Sequence, residues 1–240
     1  MRAYLVAPLT LLLLPALVSP ARPLTADKDK DKDRDERPKD EEPGFVSLFD
    51  GKTLAGWKGK SELWCVRDGC IVGSTRPKGI DFNTFLISEK EYGNFHLKVK
   101  FKFTGGNSGI QFRSRQVGDP HRFVVSGYQA DIGDGYFGAI YDEARRNRLL
   151  VTPDKETVQK AYKKDDWNDY EIVAVGRKIE LILNGVTTAK YQESEKDIAE
   201  KGILALQLHG GGAMEVWADA TRAPNAPAKM TPETSIELRN

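Results

Sequence analysis

Apolar and polar residues alternate along short stretches of the chain between about residues 44 and 221. The clearest stretch is NFHLKVKFKF, in which every second residue from Phe95 to Phe103 is apolar and the others are His96 and three lysines. Successive side chains of a β-strand point to opposite faces of the sheet. The pattern therefore predicts a strand with one buried and one solvated face.

Eight further stretches carry the same short-strand pattern: LWCV, CIVG, TFLIS, IQFRS, YEIVAV, KIELIL, ILALQL and MEVWA. Turn residues separate them at Asp68-Gly69, Gly105-Gly106, Gly176-Arg177 and Asn184-Gly185, and the last pair should close a hairpin. Only residues 193–201, a short charged stretch, suggest a helix. Many short strands without intervening helices predict an all-β fold, a jelly-roll β-sandwich of two antiparallel sheets.

The two ends of the chain differ from this central region. Residues 1–21 combine Arg2, an apolar stretch and small residues, which is typical of a secretory signal peptide; a single-pass anchor is the alternative. Residues 22–43 are mostly charged and predict a disordered linker, and the Pro-rich residues 222–240 predict a loosely packed tail. We therefore expect a periplasmic or extracellular protein with no integral membrane span after signal cleavage.

Charge and cysteine content narrow the function classes. The formal net charge is +1 and no basic stripe alternates with aromatic residues, so we expect no nucleic-acid partner. Cys65 and Cys70 flank Asp68-Gly69, and a two-residue turn there would make them diagonal neighbours on one face. That spacing lies at the edge of disulfide geometry, so the bond stays open.

Seven fragments in order resemble the DUF1080 family of 3-keto-disaccharide hydrolases: FVSLFDGKTLAGWKG, WCVRDGCIVG, FLISEKEYGNFHLKVKFKF, GNSGIQFRS, GYQADIGDGYFGAIYDEARRN, DWNDYEIVAVGRKIELILNG and GILALQLHGGG. The resemblance covers about residues 44–219. It implies a concanavalin A-like jelly roll, export, and an enzyme that cleaves glycosides oxidised to a ketone at carbon 3. A ketone there acidifies the hydrogen on carbon 2, so the chemistry needs a base, a partner for the enolate oxygen and a leaving-group acid.

Strand parity supplies candidates for these roles. Paired polar residues share a face in each of three predicted strands: Gln111 with Arg113, Gln129 with Asp131, and Gln207 with His209. We predict Asp131 or His209 as the base and Arg113 as the enolate stabiliser. The three glutamines, Gln111, Gln129 and Gln207, are predicted to bind sugar hydroxyls.

The stretch NSG and the stretch IYDEARRNR complete the candidate site. Asn107 is a candidate substrate ligand at the turn before IQFRS, and Tyr141 is a candidate stacking surface. Glu143 is the candidate leaving-group acid and Arg145 a candidate substrate clamp, although the stretch also fits a surface loop of ion pairs. No cofactor is predicted, although Asp131, Asp134 and His209 are residue types that bind divalent metals.

One departure from the family pattern leaves a second function class open. Where the family more commonly has Glu and Gln two residues apart, this chain has Gln129 and Asp131, and glutamine cannot act as a base. The carboxylate has therefore moved along the same face, or the chain has lost the chemistry. The alternative to a hydrolase or lyase is a noncatalytic carbohydrate-binding β-sandwich, and the sequence does not indicate the oligomeric state.

Overall fold

Two antiparallel sheets form the fold in the computed structural model, which describes residues 45–224 and the side chains up to residue 219. The elements in chain order are β1 (Phe45–Ser47), β2 (Trp57–Lys58), β3 (Trp64–Arg67), β4 (Cys70–Ser74), β5 (Thr84–Tyr92), β6 (Phe95–Thr104), β7 (Asn107–Val117), a 3-10 turn (Pro120–Arg122), β8 (Val124–Gly133), β9 (Ile140–Glu143), β10 (Arg148–Val151), α1 (Lys155–Ala161), β11 (Asn168–Val175), β12 (Lys178–Leu183), β13 (Val186–Gln192), β14 (Gly202–Leu208) and β15 (Glu215–Pro224). The predicted signal peptide, the linker and most of the predicted tail lie outside the described residues.

The strand order confirms the jelly-roll sandwich. One sheet has the order β13-β12-β11-β6-β15-β4-β3, with β1 added on β15, and the other has the order β10-β9-β8-β7-β14-β5-β2. Each sheet combines consecutive strands with strands that are distant in sequence, as β6 next to β15 and β7 next to β14 illustrate. The local β7–β8 pair and the non-local β7–β14 pair bring β7, β8 and β14, which carry the candidate residues, side by side.

The core lies between the two sheets. The five apolar residues of β6 from Phe95 to Phe103 are all buried, as the alternation predicts. Phe95 meets Phe112 of the other sheet edge to face, with ring centroids 6.2 Å apart. Ile110 is buried beside it. Because Ile110 and Phe112 point inward, Gln111 between them points to the opposite face of its sheet.

Two predicted hairpins have the turn geometry that their residues favour. Asp68 and Gly69 adopt φ values of 50° and 71°, and Asn184 and Gly185 adopt 49° and 80°. Positive φ at both central residues is typical of two-residue hairpin turns that match the twist of the strands. The register pairs Cys65 with Val72 and Arg67 with Cys70, as predicted.

The disulfide that this register permits is not formed in the structure. Cys65 is exposed and Cys70 is buried, and the Cys70 thiol lies 3.6 Å from the carbonyl oxygen of Asp68.

Three local predictions are wrong. Residues 193–201 are not helical, and the helix of the described region, α1, lies at Lys155–Ala161 instead. The stretch IYDEARRNR is not only a loop, because β9 and β10 form an irregular hairpin there. Asn107 is the first residue of β7 rather than part of the turn, which Gly105 and Gly106 make with φ values of 71° and 68°. Within residues 45–224, no helix has the length and apolar character needed to cross a bilayer.

Candidate functional site

The outward surface of the seven-stranded sheet collects most of the candidate side chains. Gln111 is paired across the strands with Gln129 on one side and Ala205 on the other, and Gln129 is paired with Tyr141. Residues two positions along each strand share the same face. We call this surface the polar face; it comprises Asn83, Asn107, Gln111, Ser114, Gln129, Asp131, Tyr141, Glu143, Gln207 and His209.

A row of hydrogen bonds, the amide ladder, runs across the polar face from Ser114 to Asp131. Ser114 Oγ donates to Gln111 Oε1 (2.8 Å), Gln111 Nε2 donates to Gln129 Oε1 (2.7 Å), and Gln129 Nε2 donates to Asp131 Oδ1 (2.6 Å). All four residues are buried. A Cβ atom at Gly109 would lie 2.5 Å from Gln129 Cγ, so the missing side chain there makes room for the ladder.

The ladder gives Gln111 and Gln129 a role beyond the predicted one. Each glutamine uses its amide oxygen and its amide nitrogen within the ladder. Both side chains are buried, and each amide is held at its oxygen and at its nitrogen by a neighbour in the ladder. Gln111 and Gln129 therefore orient Asp131, and their predicted binding of sugar hydroxyls stays a prediction.

Asp131 and Glu143 are neighbouring carboxyl groups with raised pKa values. Burial raises the pKa of Asp131 to about 7, the Gln129 hydrogen bond opposes this, and the charge of Glu143 adds to it. Burial also raises the pKa of Glu143, while the hydrogen bond from Asn83 and the nearby His209 lower it. Burial therefore favours the neutral form of both carboxyl groups, and the charge of Glu143 adds to this effect at Asp131.

Asn83, which sequence reasoning missed, links Glu143 to the turn after β14. Its Nδ2 donates to Glu143 Oε1 (3.2 Å), and its Oδ1 accepts from the backbone N–H of Gly210 (2.8 Å). Gly210 packs closely here, since a Cβ atom on it would lie 2.8 Å from Phe82 Cα. An asparagine just before a strand is common in turns, so nothing in its sequence context marked it.

His209 lies beside Glu143 at the end of β14. Its Nδ1 is 2.5 Å from the carbonyl oxygen of Gly210, and a carbonyl can only accept, so Nδ1 carries the hydrogen. In the neutral ring, Nε2 is then an acceptor. In the neutral form of His209, Nε2 can therefore accept a proton or a hydrogen bond and cannot donate one.

Two residues of the polar face have buried polar atoms without partners. Among the described side chains, both amide atoms of Gln207 and the Oδ1 of Asn107 are buried and make no hydrogen bond. They lie on adjacent strands, since Ser108 Oγ donates to the Gln207 carbonyl (2.8 Å). Buried polar groups are normally bonded, so these unpaired atoms are available to a water or a ligand. Gln207 and Asn107 thus keep their predicted role as candidate ligand-binding groups.

Arg113 does not face the site, contrary to the prediction. The register shifts between Phe112 and Arg115, and Arg113 adopts a φ of 47°, so a β-bulge turns its side chain away. The guanidinium donates instead to the carbonyl oxygens of Gly93 (3.1 Å), between β5 and β6, and of Gly176 (2.5 Å), between β11 and β12. Ser114 takes the place on the polar face that parity assigned to Arg113.

Arg145 lies on the side of β9 that faces away from the polar face. Its Nε donates to Asp142 Oδ1 (2.8 Å), and its guanidinium lies 4.5 Å from the ring centre of Tyr128. Asp142 also binds Arg146, which pairs with Glu193 (2.6 Å). Asp142 faces the opposite side of β9 from Glu143, so Arg145 belongs to an ion-pair network, the alternative that the sequence left open.

A cavity of about 250 Å³ is lined by Lys60, Leu63, Gly79, Ile80, Asp81, Phe82 and Thr84. Phe82 and Thr84 flank Asn83 in the chain, but none of the residues that line the cavity belongs to the polar face. The described residues contain no group of three or more His, Cys, Asp or Glu side chains placed to hold a metal ion.

A comparison with protein families shows which family the chain belongs to. A model described as the 3-keto-alpha-glucoside-1,2-lyase-like domain matches residues 44–220. The chain belongs to this family. A curated relative, a 3-keto-disaccharide hydrolase of Bacteroides thetaiotaomicron, is 33% identical over 84 residues. The match covers 31% of this chain and 29% of that protein, so it spans less than a third of the relative.

Solved structures share the family's sandwich fold. A candidate glycosyl hydrolase of Parabacteroides distasonis has a TM-score of 0.58 and 21% identity, with 77% of this chain and 94% of that chain covered. The carbohydrate-binding module CBM66 of Bacillus subtilis has a TM-score of 0.52 and 16% identity, with 70% and 94% covered. At these identities the likeness shows the fold alone.

The carboxylate of Asp131 and the amide of Gln129 occupy one place on the polar face. Gln129 and Asp131 lie on the same face of β8 and are joined by the 2.6 Å hydrogen bond. A carboxylate at either position would therefore reach the polar face, and the partner amide would bind it.

Proposed function

We propose that this protein is an exported enzyme that cleaves the glycosidic bond of 3-keto-glycosides, with Asp131 as the base. The observation that carries the proposal is a buried carboxyl group on the polar face whose pKa is raised to about 7. A base with a pKa near the working pH combines a large ionised fraction with strong proton affinity. Membership of the 3-keto-alpha-glucoside-1,2-lyase-like family supports the substrate class.

The reaction begins at carbon 2 of the oxidised sugar. The Asp131 carboxylate takes the proton, the C–H electron pair forms the C2=C3 double bond, and the carbonyl π electrons move to the oxygen on carbon 3. When the enolate collapses, the carbonyl re-forms, a C1=C2 double bond forms and the C1–O bond breaks. The leaving oxygen takes up a proton. Water then adds at carbon 1 and carbon 2 regains a proton, so the net reaction is hydrolysis.

The polar face supplies partners for the sugar. The unpaired Nε2 of Gln207 is a donor suited to the enolate oxygen or a ring hydroxyl, and the unpaired oxygens of Gln207 and Asn107 are acceptors for hydroxyl groups. Tyr141, half-buried beside Asp131 and Glu143, offers a ring edge and a hydroxyl.

Turnover of a matched substrate pair tests the proposal. Purified protein is incubated in D₂O with a 3-keto-disaccharide and with the unoxidised disaccharide, and products are analysed by NMR. We expect cleavage of the 3-keto compound alone, with deuterium at carbon 2 of the product, and loss of turnover in Asp131→Asn. Equal cleavage of both disaccharides would point to ordinary two-carboxylate hydrolysis. Binding without turnover would favour the carbohydrate-binding alternative.

A further inference from the structure

The two carboxyl groups of the polar face have hydrogen-bond partners of different kinds. Asn83 cannot turn its amide around, because its Oδ1 accepts from the backbone N–H of Gly210, which can only donate. Its Nδ2 must therefore face Glu143 and donate to Oε1 at 3.2 Å. A fixed donor favours the ionised form of the carboxyl group that it contacts.

Asp131 has a partner that can reverse. The amide ladder ends at the hydroxyl of Ser114, which lies 2.8 Å from Gln111 Oε1 and 3.0 Å from the carbonyl oxygen of Phe112. If both glutamine amides rotate by half a turn, a protonated Asp131 donates to Gln129, Gln129 donates to Gln111, and Gln111 donates to Ser114. The serine hydroxyl then donates to Phe112. Every group stays bonded in either direction.

We propose that Asn83 holds Glu143 as a permanent carboxylate, and that Asp131 alone carries the reacting proton while the amide ladder reverses to match its charge. The inference rests on the proposed function and changes one predicted role, since Glu143 is then a fixed charge and not the leaving-group acid. Asp131 takes the proton from carbon 2 and passes it to the leaving oxygen. Asn83 is a positioning residue that acts through Glu143.

The charged and titratable groups around the pair are consistent with this division. Glu143 and Tyr141 face Asp131 from β9, and Tyr170 approaches it from β11, where its hydroxyl lies 3.5 Å from the Asp131 carbonyl oxygen. His209 faces Glu143 from the end of β14. The Glu143 charge raises the basicity of Asp131, which is the effect expected of a neighbouring fixed anion.

Direct titration of Asp131 tests the charge relation without any substrate. The side-chain carboxyl is followed by ¹³C NMR in labelled wild type and in Glu143→Gln. We expect a midpoint near pH 7 in wild type and a midpoint at least about half a pH unit lower in the variant, because a neighbouring negative charge is removed. An Asp131 midpoint that does not move would overturn the proposal. This measurement is independent of turnover, so its failure is distinguishable from the absence of activity on 3-keto-glycosides.

Kinetics with two leaving groups separates the roles of the carboxyl groups. If Glu143 is a fixed charge, Glu143→Gln keeps turnover of a 3-keto-disaccharide within roughly tenfold and moves the acidic limb of kcat/KM to lower pH. Asp131→Asn loses turnover. If Glu143 is the acid, Glu143→Gln fails on the disaccharide but recovers on a 4-nitrophenyl 3-keto-glucoside, whose leaving group needs no proton. That recovery would refute the assignment.

A double-mutant cycle tests whether Asn83 acts through Glu143. Asn83→Leu should alter the pH profile in the wild-type background and have a much smaller effect in the Glu143→Gln background. Gln192→Leu, an exposed amide on β13 of the other sheet, is the matched control and should leave both profiles unchanged. Equal effects of Asn83→Leu in both backgrounds would mean that Asn83 does not work through Glu143 and would contradict the proposal.

Discussion

Replacing Asp131 by asparagine should stabilise the fold while it removes the base. The side chain is 4% exposed, and its pKa is raised from 3.8 to about 7, so the buried carboxyl resists ionisation. The free-energy difference between these two pKa values is about 4 kcal/mol. Asparagine has nearly the same shape, carries no charge and can still accept from Gln129. The variant should therefore gain up to about 4 kcal/mol at pH values above 7.

The pH dependence gives this gain a sign that can be checked. Because the folded-state pKa lies above the unfolded value, the native state binds the proton more tightly. The stability that comes from this tighter proton binding at Asp131 is complete below about pH 4 and is lost as the pH rises through 7. Urea unfolding of wild type and Asp131→Asn at several pH values from 4 to 9 should therefore show equal stability at pH 4 and a growing difference up to about pH 7, constant above it.

A surface carboxylate provides the control for this series. Asp169→Asn changes an exposed side chain, 54% accessible, that faces Lys100 on the neighbouring strand of the eight-stranded sheet. Its stability curve should run parallel to that of wild type. A stability difference between wild type and Asp131→Asn that stays the same at every pH would refute the reasoning, because it would mean that Asp131 ionises normally in the folded protein.

Three further changes test the packing and the corrected assignments. In urea unfolding, Gly109→Ala should lower the free energy of unfolding by about 1–3 kcal/mol, because its Cβ would lie 2.5 Å from Gln129 Cγ. Gly93→Ala is the control and should be near neutral, because its Cβ would meet other atoms only at 3.9 Å or beyond. Arg146→Met should cost about 3–5 kcal/mol in the same assay, since Asp142 loses a counter-ion in a buried position. Arg113→Met should destabilise the fold yet keep turnover per folded molecule, and loss of turnover without loss of stability would restore its predicted catalytic role.

The strands and hairpins could be predicted because their signals are local. The alternation in β6 and the turn pairs Asp68-Gly69 and Asn184-Gly185 each need only a few neighbouring residues. The predicted pairing of Arg67 with Cys70 follows from the turn alone, and the structure has it. Parity likewise brought Gln111, Gln129, Asp131, Gln207 and His209 to one surface, as local strand geometry requires.

The errors arise where one residue or a distant contact changes local geometry. A single extra residue in β7 reverses parity from Arg113 onward, and no period in the sequence marks it. Helix α1 has only seven residues, and its visible signal was Asp154, whose side chain accepts from the N–H of Thr157 at 2.7 Å. Asn83 acquires its role only when β9 and the turn after β14 come together in the fold.

Because Asp142 and Glu143 are neighbours on one strand, the ion-pair network inside the fold and the carboxylate of the polar face depend on the same strand register. Asp142 points inward and anchors Arg145 and Arg146, while Glu143 points outward to Asn83. A one-residue insertion or deletion in β9 would exchange their faces, placing the anchor on the polar face and the second carboxylate inside. Natural variation at this strand should therefore consist of substitutions, with length changes confined to the β9–β10 turn, and engineers seeking altered specificity should preserve its length.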